Sequence, residues 1–309
     1  MNTPTFSIII PHKNSQDDLR RCLRSIPNID DIQVIVVDDG SDIIDENSFP
    51  GIERKFTQVI FNHDGLGAGH ARNVALKEAK GEWLLFSDAD DYFVDNMYEL
   101  ASKSVSDTKA DIIYFTLIIN REGGGRGGYV PVQNRCAEHL EDGSVDIEYD
   151  LRYRCTQPWD KLIRHSLVKE HRITFQETSV SNDYLFSVQA GYYAKEVKFV
   201  TEPLYVYVIR NNNSLWHITT YQSLETRIKV YCDVIRFQRE HRVQSDMGQI
   251  YGILADILYS YTSKFIAQAK YVSRELGESK SKLTFVSFTT MIALLWQRTV
   301  RKLKRILEK

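Results

Sequence analysis

The chain has 309 residues, 43 % hydrophobic and 26 % charged, with a formal net charge of −2. That length suits one large α/β domain or a domain with an accessory lobe, and the near-neutral charge excludes the basic signature of a nucleic-acid binder. Cys22, Cys136, Cys155 and Cys232 are scattered with no C-x-x-C pair, which excludes a zinc ribbon or disulfide frame and suits reduced thiols.

Residues Met1 to Thr5 lead straight into an apolar run, with no charged-then-apolar leader, so a cytosolic location is expected. The first strand is Phe6 to Ile10, stopping at Pro11 and followed by His12 and Lys13. A helix is expected from Asp17 to Ser25, with apolar Leu19, Cys22, Leu23 and Ile26. The β-branched run Val34 to Val37 is a second strand and ends abruptly in Asp38-Asp39-Gly40-Ser41. The loop Gly65-Leu66-Gly67-Ala68-Gly69 leads into a helix from Gly69 to Lys80, with apolar Ala71, Val74, Ala75, Leu76 and Ala79. A dinucleotide fingerprint would need glycine at 70, where His70 stands, and is set aside.

Next comes Trp83 to Phe86, of the right length and character for a buried parallel strand, ending in Asp88-Ala89-Asp90-Asp91. Carboxylates crowded at a strand end repel one another unless a cation or proton intervenes. They read either as a polar turn capping the next helix or as oxygen ligands for Mg²⁺ or Mn²⁺. The second acidic strand end at Asp38 and Asp39 favours the cation. Strands and helices alternating over the first ninety or so residues give a doubly wound, mostly parallel α/β sheet, whose ligands gather at the strands' carboxyl ends. Both acidic clusters then face one pocket.

Further on, a strand over Ile112 to Ile119 leads into Gly123-Gly124-Gly125-Arg126-Gly127-Gly128, a loop over the site or a plain hairpin tip. Past Thr219 the apolar spacing becomes helical, as in Leu224, Ile228, Tyr231, Val234 and Ile235. The end of the chain sets Ile292, Trp296, Val300, Leu303 and Leu307 on one helical stripe against Arg298, Arg301, Lys302, Lys304 and Arg305. This basic amphipathic helix suits either an anionic bilayer surface or docking on the protein itself.

Six strings in order carry a resemblance: SIIIPHKNS, IVVDDGSD, GLGAGHARNVALKEAKGEWLLFSDADDYF, PWDKLIRHSLV, SNDYLFS and LYVYVIRNNNSLWH. Together, over roughly residues 5 to 217, they resemble a family 2 glycosyltransferase. The resemblance implies a GT-A fold that moves a sugar, with inversion, from a nucleotide sugar (a UDP-sugar favoured). The acceptor it implies is a glycan or lipid-linked glycan in surface polysaccharide synthesis, and with the basic helix this suits a cytoplasmic enzyme peripheral to the inner face of the cell membrane. Residues 1–218 are then the catalytic domain, with the nucleotide-sugar part at about 1–115 and the acceptor part at about 116–218; residues 219–309 are a helical region.

The resemblance also distributes roles. Asp88 and Asp90 hold the metal, with His217 as a third ligand. Pro11, Asp38, Asp39, Arg72 and Arg210 serve the nucleotide, Asp39 by accepting from a pyrimidine N–H and Arg210 near the diphosphate. Asp183 is the general base; Trp159, stacking on the acceptor, and Asn182, beside the base where the family usually has Glu, both serve acceptor binding. Asp91 touches the donor sugar or caps a helix. Where the family's first motif usually has an aromatic, this chain has Lys13, so stacking by tyrosine is absent there. Two alternatives stand beside this reading: a sugar nucleotidyltransferase, and an inactive glycan-binding or scaffold protein. The first would carry a Gly-rich basic loop after the first strand, where this chain has PHKNSQDDLR.

Overall fold

A computed structural model describes residues 3–42, 45–122, 130–210 and 220–307, with side chains through 296. The chain divides into two compact units, Met1–His217 and Ile218–Lys309. The strands of the first are β1 (Phe6–His12), β2 (Ile32–Asp39), β3 (Thr57–Asn62), β4 (Trp83–Phe86), β5 (Tyr92–Phe93), β6 (Ile112–Glu122), β7 (Lys161–Arg164) and β8 (Val197–Arg210). They form one sheet in the order β3-β2-β1-β4-β7-β6-β8-β5. Its helices are α1 (Gln16–Arg24), α2 (Ala68–Glu78), α3 (Met97–Val105), α4 (Val132–Glu138), α5 (Ile147–Tyr149), α6 (His165–Glu170) and α7 (Tyr184–Tyr193).

Side chains alternate across a strand, so a strand covered on both faces reads as an unbroken apolar run. That is why β1, β2 and β4 are legible. Ile8, Ile10, Val34, Val36 and Leu85 face one core with Leu19, Cys22 and Leu23 of α1. Ile9, Ile35, Val37, Leu84 and Phe86 face the other with Ala71 and Ala75 of α2. Pro11 sits in β1 opposite Val37, past the point where the β1–β4 ladder ends at Ile9 and Phe86, so its missing N–H breaks no bond to β4.

The sheet is parallel from β3 through β4 and then changes sense. Strand β7 runs antiparallel to both β4 and β6, β8 is parallel to β6, and β5 antiparallel to β8. The result is a mixed sheet whose reversal lies just beside the acidic end of β4.

In the second unit the described helices are α8 (Tyr221–Glu240), α9 (Gly248–Ser260), α10 (Thr262–Leu276) and α11 (Lys280–Leu307). The Thr220 hydroxyl caps α8 by accepting from the Ser223 N–H at 3.2 Å. Arg236 of α8 pairs with Glu275 of α10 at 2.7 Å. No helix among the described residues is long and apolar enough to cross a membrane.

Candidate active site

The carboxyl ends of β1 and β2 are fastened by a buried pair. His12 Nδ1–H donates to Asp38 at 2.8 Å, and its Nε2 accepts from the Ser15 N–H at 3.1 Å, which fixes the Nδ1–H tautomer. Asp38 also accepts from the Ser41 amide at 3.0 Å and from the Ser41 hydroxyl at 2.5 Å. Burial alone would raise its carboxyl, but the Ser41 hydroxyl and amide, then His12, outweigh it and hold it low. With no exposed surface left, Asp38 shapes the turn and does not itself face a nucleotide. Asp39 accepts from the Gly67 N–H at 2.7 Å and from the Asn62 amide at 3.3 Å, drawing the Gly65–Gly67 loop against the end of β2.

Arg72, on the first turns of α2, is the hub. Its Nη2 donates to Asp88 Oδ1 at 2.6 Å and its Nη1 to Asn182 Oδ1 at 2.8 Å, while the guanidinium lies 5.4 Å from the Phe175 ring centroid. Burial at 5 % exposure removes the surface reading of this arginine. Asn182 is also buried, so it holds Arg72 and does not face an acceptor, which corrects the role expected of it.

The approach of α2 to this segment depends on Gly69. A Cβ there would stand 2.2 Å from the Gln176 carbonyl oxygen and 2.9 Å from Asn182 Cβ. Both are fixed by the Gln176 N–H to Asn182 O bond at 3.1 Å. Gly69→Ala is therefore expected to cost about 1–3 kcal/mol of stability through overpacking and to lower turnover by moving Arg72. Chemical denaturation and kinetics on the same preparation check it; an alanine variant with parental stability would show that α2 can shift freely.

Past β4 the three acids part ways. Asp91 is buried, accepting from the Tyr205 hydroxyl at 2.9 Å and the Val208 N–H at 2.7 Å. Both of its oxygens are taken by β8, and it ties this turn to that strand. Asp88 keeps one oxygen on Arg72, and its N–H donates to the Tyr205 hydroxyl at 3.0 Å. Asp90 is the exposed one of the three. Loss of surrounding water, then the like charge of Asp88, pushes its carboxyl up to about 6.

The rim is an ion lattice. Arg210 grips Asp18 with two bonds of 2.7 and 2.5 Å and Glu122 with one of 2.9 Å. Arg21 donates to Glu122 at 2.6 Å and to the Asp90 carbonyl at 2.5 Å. The cation expected beside a diphosphate is thus already paired. Trp159 is 6 % exposed and stacks on the rings of Tyr205 and Tyr207 at 5.1 and 5.2 Å. It is a core residue with its faces taken by tyrosines, which corrects its expected place at an acceptor. His217 lies outside the described residues, as do residues 123–129.

Asp183 precedes α7 without using its side chain to cap it. Burial raises its carboxyl, while the charge of Arg72 opposes the rise and that of Asp88 adds to it. Tyr205, Asp18, Arg21 and Glu122 also shape the site, with no role expected of them from the sequence. Asp18 and Arg21 are three apart on one face of α1, a pairing the sequence does display; nothing distinguishes Tyr205 from its neighbours in an apolar strand.

A profile of glycosyl transferase family 2 matches residues 7–195. The chain belongs to glycosyl transferase family 2. It is 28 % identical to the putative glycosyltransferase EpsH of Bacillus subtilis over 219 residues, 68 % of this chain and 62 % of that protein. It is also 28 % identical to the poly(ribitol-phosphate) beta-N-acetylglucosaminyltransferase TarS of Staphylococcus aureus over 283 residues, 86 % of this chain and 46 % of TarS. The family member described here therefore spans less than two thirds of the length of either relative. Among solved structures it resembles S. aureus TarS 1-349 in complex with UDP-GlcNAc, with a TM-score of 0.66 and 20 % identity over 94 % of this chain and 88 % of that one. At that identity the likeness is one of fold, and the fold is of GT-A type.

Proposed function

We propose that this chain transfers a sugar from a UDP-sugar, with inversion, to a hydroxyl of a surface glycan, polymeric or lipid-linked. The observation that carries the reading is the bridge made by Arg72, which joins Asp88 at the end of β4 to Asn182, the neighbour of Asp183. One guanidinium thus ties the donor side of a sugar site to the segment holding its base. Family membership removes the nucleotidyltransferase alternative. The TarS structure with UDP-GlcNAc supports the choice of UDP as carrier.

In this reading Asp183 takes the proton from the acceptor hydroxyl as its oxygen bonds to the anomeric carbon. The bond from that carbon to the diphosphate breaks on the opposite face, releasing UDP. Asp39 accepts from the uracil N–H through Oδ1, giving up its long 3.3 Å contact with Asn62, and Arg72 orients Asp88 and the base segment. The donor set of Asp88 and Asp90 is all oxygen, like-charged and open on the Asp90 side, which fits a hard divalent cation. Bound there, Mg²⁺ or Mn²⁺ neutralises the charge of the leaving diphosphate.

A thermal-shift panel of UDP-, GDP- and dTDP-sugars, with and without Mn²⁺, tests the donor. A ligand at about a hundred times its Kd stabilises by about 2.7 kcal/mol, so a UDP-sugar with Mn²⁺ is expected to raise the midpoint by several degrees and the GDP-sugars by less. A panel in which GDP-sugars shift the midpoint most would overturn the choice of carrier.

A further inference from the structure

Helix α11 carries an apolar face that stays bare. Phe285, Phe288, Ile292 and Trp296 are 68, 49, 50 and 71 % exposed. Spacings of three, four and four place them on one side of the helix, in a strip roughly 16 Å long. The opposite side is the docked one: Leu283 and Ser287 are fully buried there. Aromatic rings lined up in water are unfavourable, and a contiguous patch of them marks a surface made for a partner.

The charge of the segment says which partner. Between Lys280 and Lys309 there are eight lysines and arginines and one acid, Glu308. That is +7 on a chain whose total is −2. Two copies of this chain meeting face to face would bring two such segments together, and like charges at close range repel. A helix that crosses a bilayer is ruled out, since none among the described residues is long and apolar enough. An anionic bilayer surface meets both features, taking the rings at the acyl boundary and the basic residues among lipid phosphates.

We infer that α11 docks this chain on an anionic membrane surface, lying in the interfacial plane with Phe285, Phe288, Ile292 and Trp296 inserted. This holds whether or not the transferase reading does, because it draws on a different unit of the chain.

Flotation of the full-length chain with vesicles decides it. One set is phosphatidylcholine mixed with phosphatidylglycerol and the other is phosphatidylcholine alone. The chain should float with the mixed vesicles at low salt, hardly with the neutral ones, and less as salt rises. Each basic residue near an anionic surface multiplies partitioning about fivefold, so Arg301→Gln with Lys302→Gln should lower it by about an order of magnitude or more. Phe288→Ser with Trp296→Ser should lower it at least about tenfold, with the circular dichroism of the folded chain retained because both residues lie on the exposed side.

Three results would overturn the inference: no flotation with either vesicle, equal flotation with both, or a serine double variant that floats like the parent. A dimer in sedimentation velocity that the serine substitutions dissolve, without flotation, would assign the face to a second copy.

Discussion

Asp183→Asn is expected to lower kcat by about 10²-fold or more, the loss typical of a missing general base, with donor affinity nearly unchanged. The carboxylate heads α7 but makes no capping bond, so the helix does not depend on it. Asparagine keeps the shape and cannot accept the proton. The pH profile adds a second readout. Burial raises this carboxyl above the ordinary aspartate value of 3.8, with Arg72 opposing and Asp88 assisting. The working form is the deprotonated one, so activity should be lost as pH falls through a value higher than an ordinary aspartate would give. The asparagine variant should lose the share of that limb set by Asp183 and keep the share set by Asp90. Unchanged kcat with weakened donor binding would mean that Asp183 holds substrate and takes no proton.

Asp90→Asn is expected to lower kcat/KM by about 10²- to 10³-fold, the scale of one lost electrostatic stabiliser at a developing charge. Excess EDTA should do the same to the parent. The substitution should leave the fold as stable or slightly more so, because it removes one of two crowded like charges while breaking no bond of the rim. The Arg21 contact in this turn goes to the Asp90 carbonyl, which asparagine retains. Activity and melting point are thus predicted to move in opposite senses. A variant that melts well below the parent, or a parent that works at full rate in EDTA, would remove Asp90 from the diphosphate side of the site.

The parts of the fold that could be read from sequence are those where one physical demand governs a whole run. Strand β4 spans Trp83–Phe86 as its unbroken apolar letters imply, and α1 and α2 lie within a residue or two of their apolar spacing. Strand β7 defeats such reading. Its first residue, Lys161, is a buried lysine beside buried Asp160, held by the Cys155 carbonyl at 2.7 Å and stacked near the Tyr114 ring. Charged letters suggest solvent, and only the tertiary partners make their burial tolerable.

The site shows the same divide. That Asp39, Asp88 and Asp90 stand at strand ends is legible because an apolar run breaking into acids is a local signal. Whether Arg72 faced water, whether Trp159 had a free ring face and what Arg210 would grip depend on Asn182, Tyr207 and Asp18, each far away along the chain.

The Arg72 bridge also has a bearing on how the molecule comes to be. Its two ends reach Asp88, sixteen residues on, and Asn182, a hundred and ten residues on. The second contact spans β7, the strand that joins the far edge of β4 and reverses the sheet. Loop-closure entropy makes such distant pairings slow compared with local helices and adjacent strands. Refolding chains should therefore regain their circular dichroism before they regain catalysis, and the return of activity times the completion of the fold.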